Sequence, residues 1–265
     1  VISIIIPAHN EGGRLGANLT LLTEGMSPGE FEIIVVANGC TDNTVDIAKS
    51  IPGVFVIELE EPGKAGALRA GDEAAQRLAR IYLDADIPLA ASEARALAAA
   101  VALPGVLAAT GQRLVVTRGS ALAVRGYYAV HRRLPVFRDG LFGRGVIALS
   151  AAGRSRFEVF PAMVADDLFL DSLFDAHEKH HLDDVVTKVT APQRTVQLVR
   201  RLARVRAGNR AMRQVSKARA ASNTSWLRHV VLPRPWLWPA GLCYAAVTLA
   251  AERMSRRENL TWGHS

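Results

Sequence analysis

The chain has 265 residues, 49% of them hydrophobic and 22% charged, and its 32 Lys and Arg exceed its 25 Asp and Glu to give a net charge of +7. That balance excludes a disordered chain or a collagen-like repeat, and two cysteines without a CxxC pair, Cys40 and Cys243, exclude a disulfide framework or a cysteine zinc centre and suit a reducing compartment. The charge is unevenly spread. Through Val185, 23 acidic residues outnumber 17 basic ones, whereas from Val186 onward 15 basic residues face two acidic ones, so an acidic body carries a basic tail suited to an anionic partner.

Residues 1–110 alternate short β-branched runs with helical patterns, which predicts βα units around a mostly parallel sheet. Strands are expected at Val1–Ala8, Phe31–Ala37, Val54–Leu59 and Arg80–Leu83. The first lacks the basic n-region and small-residue cleavage site of a secretory signal and reads as a buried strand. Thr41 is placed to cap a helix carrying Val45, Ile47 and Ala48. Gly66–Ala79 and Ser92–Leu103 have helix-forming composition, and Pro104-Gly105 ends the second. Beyond Gly111 the alternation stops, and residues 112–160, rich in Arg and Gly, read as an elaborated loop region before the strand-like Val146–Ser150. A helix over Asp166–Ala176, a strand over Leu182–Val189 and a basic helix over Thr195–Arg219 follow.

Between Arg234 and Glu252 lie 17 uncharged residues, at the lower limit for a membrane-spanning helix. With Trp236 and Trp238 at one end and Arg253, Arg256 and Arg257 at the other, the segment reads either as an interfacial or re-entrant piece or as a terminal helix packed on the domain.

Polar residues follow every predicted strand of the first half: His9, Asn10 and Glu11; Asn38, Gly39, Thr41 and Asp42; Pro62, Gly63 and Lys64; Asp84, Ala85 and Asp86. In a parallel sheet such ends share one edge, where ligands bind, so four clusters distant in sequence converge on a site. Asp84 and Asp86, one residue apart at a strand end, suit a hard divalent cation that also takes phosphate oxygens, Mn2+ or Mg2+. Lys64, where a glycine-flanked turn enters a helix, could bring an ammonium and backbone N–H groups to a diphosphate.

The segments VISIIIPAHNEGGRL, EIIVVANGCTDNT, PGKAGALRAG and YLDAD, in this order and at this spacing, resemble the nucleotide-binding half of the inverting family 2 glycosyltransferases. VADDLFL, residues 164–170, is similar to the family's Glu-Asp motif that contains the catalytic base. The resemblance implies a GT-A-like, Rossmann-like α/β fold with a mostly parallel central sheet flanked by helices and a helical basic C-terminal extension. It divides the chain into a nucleotide-sugar-binding half over 1–110, an acceptor and catalytic half over 111–192, and a basic region over 193–265. Pro7, His9 and Glu11 would then line the base and ribose pocket, Asn38 would meet the nucleobase with Lys64 and Arg69 beside it, and Asp86 would ligate the metal with Asp84 in support. Asp167 aligns with the catalytic base, and Asp166 is its alternative. Arg204, in the Arg-rich stretch VRRLARVRAGNR, would lie near the donor diphosphate or the acceptor. The family commonly has Asp where this chain has Ala37 and Asn38, and an aromatic residue in place of His9.

The implied activity is metal-dependent transfer, with inversion, of a sugar from a nucleoside-diphosphate sugar to a hydroxyl acceptor, lipid-linked or saccharide, in cell-surface polysaccharide or glycolipid synthesis. The basic tail and the Trp-flanked apolar segment point to a cytoplasmic place, peripheral at the inner face of the membrane, with an anionic membrane surface as a partner and no nucleic acid. Such a reaction needs an acceptor hydroxyl deprotonated on one face and leaving-group charge stabilised on the other, hence a base on a separate element from Asp86. A sugar nucleotidyltransferase, resembled by Gly12-Gly13-Arg14-Leu15, and a non-catalytic adaptor acting through the basic tail are the alternatives. His177-Glu178-Lys179-His180-His181 matches the zinc motif HExxH, which needs a helix to bring both histidines to one face; here it runs directly into a predicted strand.

Overall fold

The computed structural model describes residues 2–162, 166–215 and 226–257. Strand β1 (Ile2–Ala8) leads through α1 (Leu15–Thr23) to β2 (Phe31–Asn38), and α2 (Thr44–Ser50) to β3 (Val54–Leu59). Helix α3 (Lys64–Ala74), β4 (Arg80–Leu83) and α4 (Ala91–Ala100) complete the first half. The second half comprises β5 (Ala108–Val116), α5 (Leu122–His131), α6 (Val136–Asp139), β6 (Val146–Leu149), α7 (Ala151–Arg154), α8 (Asp166–Ser172) and β7 (Lys179–Thr190). Helices α9 (Thr195–Val215) and α10 (Trp238–Arg257) follow.

The seven strands form one sheet in the order β3-β2-β1-β4-β6-β5-β7, in which β6 alone runs against its neighbours. The residues of β1 are buried on both faces, as expected of a central strand between helical layers. Ile2, Ile4, Ile6 and Ala8 pack with Leu15, Leu19 and Leu22 of α1 and Leu97 of α4, while Ile5 faces Leu68 of α3 and Leu170 of α8. The period of two in a strand therefore sorts one run of isoleucines between two cores. On the α3 side, Asp72 accepts hydrogen bonds from Arg80 Nε at 3.1 Å, Arg154 Nε at 3.1 Å and the Tyr82 hydroxyl at 2.9 Å. Asp72 is thus a buried carboxylate with its charge balanced and its lone pairs used, the condition under which a buried ion is tolerated.

Beyond Gly111 the structure departs from expectation. Residues 112–116, expected as loop, extend β5 through a register shift at Gly111/Gln112, and residues 122–131 form α5. Gln112 and Arg113 mask the apolar pattern of this strand, whose order comes from pairing with β7 rather than from burial of its side chains. The two strands continue together past the last β5–β6 pair, so a two-stranded ribbon rises from the sheet on the second-half side. Helix α8 stops at Ser172, short of Ala176, because residues 176–178 turn separately, with Glu178 Oε2 accepting the Asp175 N–H at 2.8 Å. Strand β7 begins at Lys179, three residues before the expected Leu182. The HExxH residues consequently lie on a 3-10 turn and a strand, which cannot present their histidines as a helix would. Helix α9 is described to Val215; the rest of the basic helix expected to Arg219 lies outside the described residues, as do Val1 and the Val164-Ala165 opening of VADDLFL.

Helices α5, α9 and α10 make a separate apolar cluster against the ribbon, with Tyr127 stacked on Tyr244 at 5.0 Å between ring centroids. Glu252 of α10 accepts from Arg206 at 2.9 Å and Arg210 at 3.1 Å of α9, so an acid of the basic tail holds its two helices together. The segment around residues 235–251 is thus packed on the domain along one side, through Leu237, Tyr244, Val247 and Ala251. Among the described residues no helix is long and apolar enough to cross a membrane.

Candidate active site

Because β1, β2, β3 and β4 are parallel, their polar carboxyl-terminal turns meet at one edge. Asn38 is buried there and joins three of them. Its Nδ2 donates to Ala8 O at 2.8 Å and its Oδ1 accepts the Gly63 N–H at 2.9 Å, tying β1, β2 and the entry to α3. Gly39 must follow it with φ 56°, since a Cβ would stand 2.7 Å from the Pro62 nitrogen. His9 Nδ1 lies 2.7 Å from Asn38 O. Asp42, rather than Thr41, organises the start of α2: its carboxylate accepts the Thr44 N–H at 3.0 Å and the Gly12 N–H at 3.1 Å, while the Thr41 N–H goes to Asn10 Oδ1. Thr44 Oγ1 in turn accepts the Glu11 N–H, which sets Glu11 at the rim.

Asp84 and Asp86 follow β4. The Asp84 N–H donates to Gly145 O at 2.8 Å, bringing the glycine-rich stretch before β6 against the site. Gly145 adopts φ 74°, and a Cβ on it would lie 2.4 Å from Ile87 and 3.5 Å from an Asp84 carboxylate oxygen. Burial and then the Asp84 charge raise the Asp86 carboxyl above its ordinary range, and Glu11 is raised by burial and then by Asp86. Arg14, 4.0 Å from Asp86, is a distant and exposed counter-charge. The edge gathers negative charge that its own cations leave partly uncompensated.

Lys64 connects the two halves. Its Nζ is 2.6 Å from Asp84 Oδ1 and 3.0 Å from Asp166 Oδ2, and although burial opposes its charge, Asp166 and Asp84 outweigh that and hold it firmly protonated. Asp166 is pushed up to about 6, by burial first, against the pull of Lys64. Asp167 belongs to a different set of contacts: Oδ2 accepts the Gly143 N–H at 2.7 Å and Oδ1 the Leu168 N–H at 2.8 Å. A single cleft is lined by Pro7, Lys64, Asp84, Gly145, Asp166 and Asp167.

The structure therefore brings together Pro7, Lys64, Asp84, Asp166 and Asp167, with Asp86 and Glu11 beside them. It uses two other candidates differently. The Asn38 amide is committed to backbone, so it shapes the pocket instead of offering its own polar atoms to a nucleobase. Arg69 Nε donates to Phe160 O at 2.6 Å, bracing the chain before α8. Among the arginines of α9, the charge that bears on Asp86 is that of Arg201, one turn before Arg204. Arg113, His131 and Gly143 were not singled out from the sequence. Arg113 looked like one basic residue of a loop, and only the β5–β7 ribbon gives it a position.

Comparison with known proteins agrees with this architecture. The sequence profile described as glycosyl transferase family 2 matches residues 3–152, more than half of the chain. The chain belongs to glycosyl transferase family 2. The family 2 enzyme shares its fold with a mannosyltransferase from Pyrobaculum calidifontis solved with GDP-Man and Mn2+, at 19% identity and a TM-score of 0.61 over 98% of this chain and 76% of that one. Glucosyl-3-phosphoglycerate synthase from Mycobacterium tuberculosis, solved with Mn2+, UDP and glucosyl-3-phosphoglycerate, aligns at 20% identity and a TM-score of 0.51 over 71% of each chain. S. aureus TarS 1-349, solved with UDP-GlcNAc, aligns at 14% identity and a TM-score of 0.52 over 96% of this chain and 70% of that one. At these identities the likeness is one of fold. No curated protein matches the sequence significantly.

Proposed function

We propose that this glycosyltransferase moves a sugar, with inversion and with a divalent cation, from a nucleoside diphosphate to an acceptor hydroxyl, in cell-surface polysaccharide or glycolipid synthesis. The observation that carries the reading is the Lys64 bridge, which places the Asp84-Ala85-Asp86 turn and the Asp166-Asp167 pair on one cleft from opposite halves of the chain. Residues 1–110 would bind the donor and 111–192 the acceptor, with Arg204 and Arg201 of the basic region reaching the mouth.

The site suits Mn2+ or Mg2+. The Asp84 charge raises the cost of ionising Asp86, and among the described residues no three His, Cys, Asp or Glu converge as a closed shell. A cation held by one or two carboxylates and completed by diphosphate oxygens is the arrangement Mg2+ and Mn2+ favour. When bound, the cation would stabilise charge on the departing diphosphate. The chain's own groups supply the rest. Pro7, His9 and Glu11 border the donor, and Lys64 offsets the crowded carboxylates. Asp167, held by Gly143, takes the acceptor proton as the acceptor oxygen bonds to the anomeric carbon. The bond from that carbon to the diphosphate oxygen breaks on the opposite face, and its electron pair leaves with the nucleotide.

Thermal melts with UDP, GDP and other nucleoside diphosphates, with and without Mn2+, test this. A matching diphosphate at about a hundred times its Kd should stabilise the fold by about 2.7 kcal/mol, and chelator should abolish the shift. If no diphosphate raises Tm in the presence of manganese, the reading is wrong.

The reading extends to location. Trp236 and Leu242 are 72% and 75% exposed, and Trp238 and Leu249 are exposed beside them on the outer side of α10. Arg253 and Arg256 lie at its basic end. Apolar side chains with a cationic border suit peripheral binding to an anionic cytoplasmic leaflet, which would deliver a lipid-linked acceptor. Replacing Trp236, Trp238 and Leu242 together by Ala should weaken sedimentation with phosphatidylglycerol vesicles by about tenfold or more without lowering Tm. Unchanged binding would remove the membrane from the proposal.

A further inference from the structure

The ribbon of β5 and β7 brings a cation to Gly143, the residue that holds Asp167 at the cleft. Arg113 Nη1 donates to Gly143 O at 3.1 Å, Nη2 lies 3.0 Å from His131 Nδ1, and the guanidinium covers the Phe137 ring at 4.7 Å. Burial and the Arg113 charge hold His131 down at about 3, so its ring is neutral and Nδ1 accepts. A carbonyl, a neutral imidazole and an aromatic face fix the plane of the guanidinium, and none of them carries a charge to match it.

Gly143, whose carbonyl receives Arg113, gives its own N–H to Asp167. One residue therefore fastens the cation to the proton acceptor. Arg201, two turns into α9, bears electrostatically on Asp86 and also on Arg113 and His131. Its charge therefore acts on Asp86 and on Arg113 together. Among the described residues no carboxylate lies within ion-pair distance of either arginine. In contrast, Arg80, Arg154, Arg206 and Arg210 all have acidic partners. Two cations that oppose one another, with Asp167 and Asp86 as counter-charges beyond ion-pair contact, gain from an anion that joins them.

We propose that the acceptor of this transferase carries a phosphate monoester, seated on Arg113 and closed over by Arg201, which places its accepting hydroxyl at Asp167. This rests on the transferase reading above. The guanidinium fork matches phosphate oxygens, and its fixed plane reduces the ordering needed on binding. A neutral saccharide would give neither guanidinium an ion pair, so Arg113 and Arg201 become determinants of acceptor class. The phosphate could belong to a lipid or to a small soluble metabolite.

The test uses the full chain saturated with Mn2+ and the nucleoside diphosphate that stabilises it, so that the donor diphosphate site is filled. Calorimetry then compares glycerol phosphate and a short-chain lysophosphatidic acid, which keeps a free hydroxyl beside its phosphate monoester, with glycerol and the corresponding monoacylglycerol. Both or either phosphorylated probe should bind at least about tenfold more tightly than its uncharged partner. Arg201→Gln should remove that preference and Arg201→Lys restore part of it, while the affinity of the Mn2+–nucleoside diphosphate stays within about twofold. Arg201 is exposed, so its replacement leaves the core intact; Arg113→Lys, which keeps the charge, serves as the second variant and should retain the preference in weakened form. Preference for the lysophosphatidic acid assigns the phosphate to a lipid, and equal or better binding of glycerol phosphate assigns it to a soluble acceptor. The proposal is overturned if phosphorylated and uncharged probes bind alike, or if Arg201→Gln weakens nucleoside diphosphate and leaves the phosphorylated probes untouched, which would give the arginine to the donor. Failure of any nucleoside diphosphate to bind would instead defeat the transferase reading itself.

Discussion

Asp167→Asn should reduce kcat by about 10²- to 10⁴-fold, the usual contribution of a positioned general base, with the Kd of nucleoside diphosphate and Mn2+ unchanged. The substitution is nearly isosteric, and the amide oxygen can still accept the Gly143 N–H that Asp167 Oδ2 now receives. The loop, the Arg113 contact to Gly143 O and the shape of the cleft should therefore survive. What is lost is a group able to take the acceptor proton. We assign the base to Asp167 rather than Asp166 because Lys64, at 3.0 Å, competes with an acceptor hydroxyl for the Asp166 carboxylate. Steady-state rates with a defined acceptor, beside calorimetric donor binding, separate the two effects. A wild-type rate in Asp167→Asn would transfer the role to Asp166.

The second large effect is expected at Asp86→Ala. A cation that offsets leaving-group charge contributes several kcal/mol, so losing its main protein ligand should lower turnover by about 100-fold or more, each 1.36 kcal/mol being tenfold. Stability should not fall. Asp86 is raised by burial and by Asp84, so its carboxylate is held at a cost, and its nearest cation, Arg14, is 4.0 Å away and exposed. Alanine removes a repulsion and leaves no buried charge behind. The manganese-dependent part of the nucleotide-induced Tm shift should disappear as well. Full activity of Asp86→Ala in the presence of chelator would rule out the assignment of Asp84-Ala85-Asp86.

The candidate site was largely legible in the first half of the chain because its signals are local. VISIIIP, EIIVVAN and RIYL are apolar runs that can only be buried strands, and each is followed at once by polar residues, so parallel pairing alone collects Glu11, Lys64, Asp84 and Asp86 at one edge. In the second half the signals are long-range. Strand β5 is stabilised by partners some 70 residues away, at Lys179 to Thr190, and its own pattern of Gly111, Gln112 and Arg113 shows no period of two. For the same reason the local pattern predicts loop where α5 forms and a helix four residues longer than α8.

The roles of individual polar residues divide in a similar way. Asn38 was a reasonable candidate for contact with a base from its place after β2, and only the structure shows its amide spent on Ala8 O and the Gly63 N–H. Arg113 had no distinguishing neighbour in sequence, and gains one through Gly143 and His131, 30 and 18 positions away. The basic tail shows the same division between composition and placement. Its net positive charge is a property of the sequence, but Arg206 and Arg210 turn inward to Glu252, while the Arg201 charge bears on Asp86.

By itself, then, the sequence determined the βα alternation, the edge at which chemistry gathers, and the carboxylates and lysine present there, because periodic burial and strand-end position follow from neighbouring residues. Tertiary structure alone decided that Lys64 joins Asp84 to Asp166, that Gly143 links Arg113 to Asp167, and which arginine of α9 reaches the site. Those relations are distances between segments 20 to more than 100 residues apart, set by packing and sheet order rather than by any local propensity.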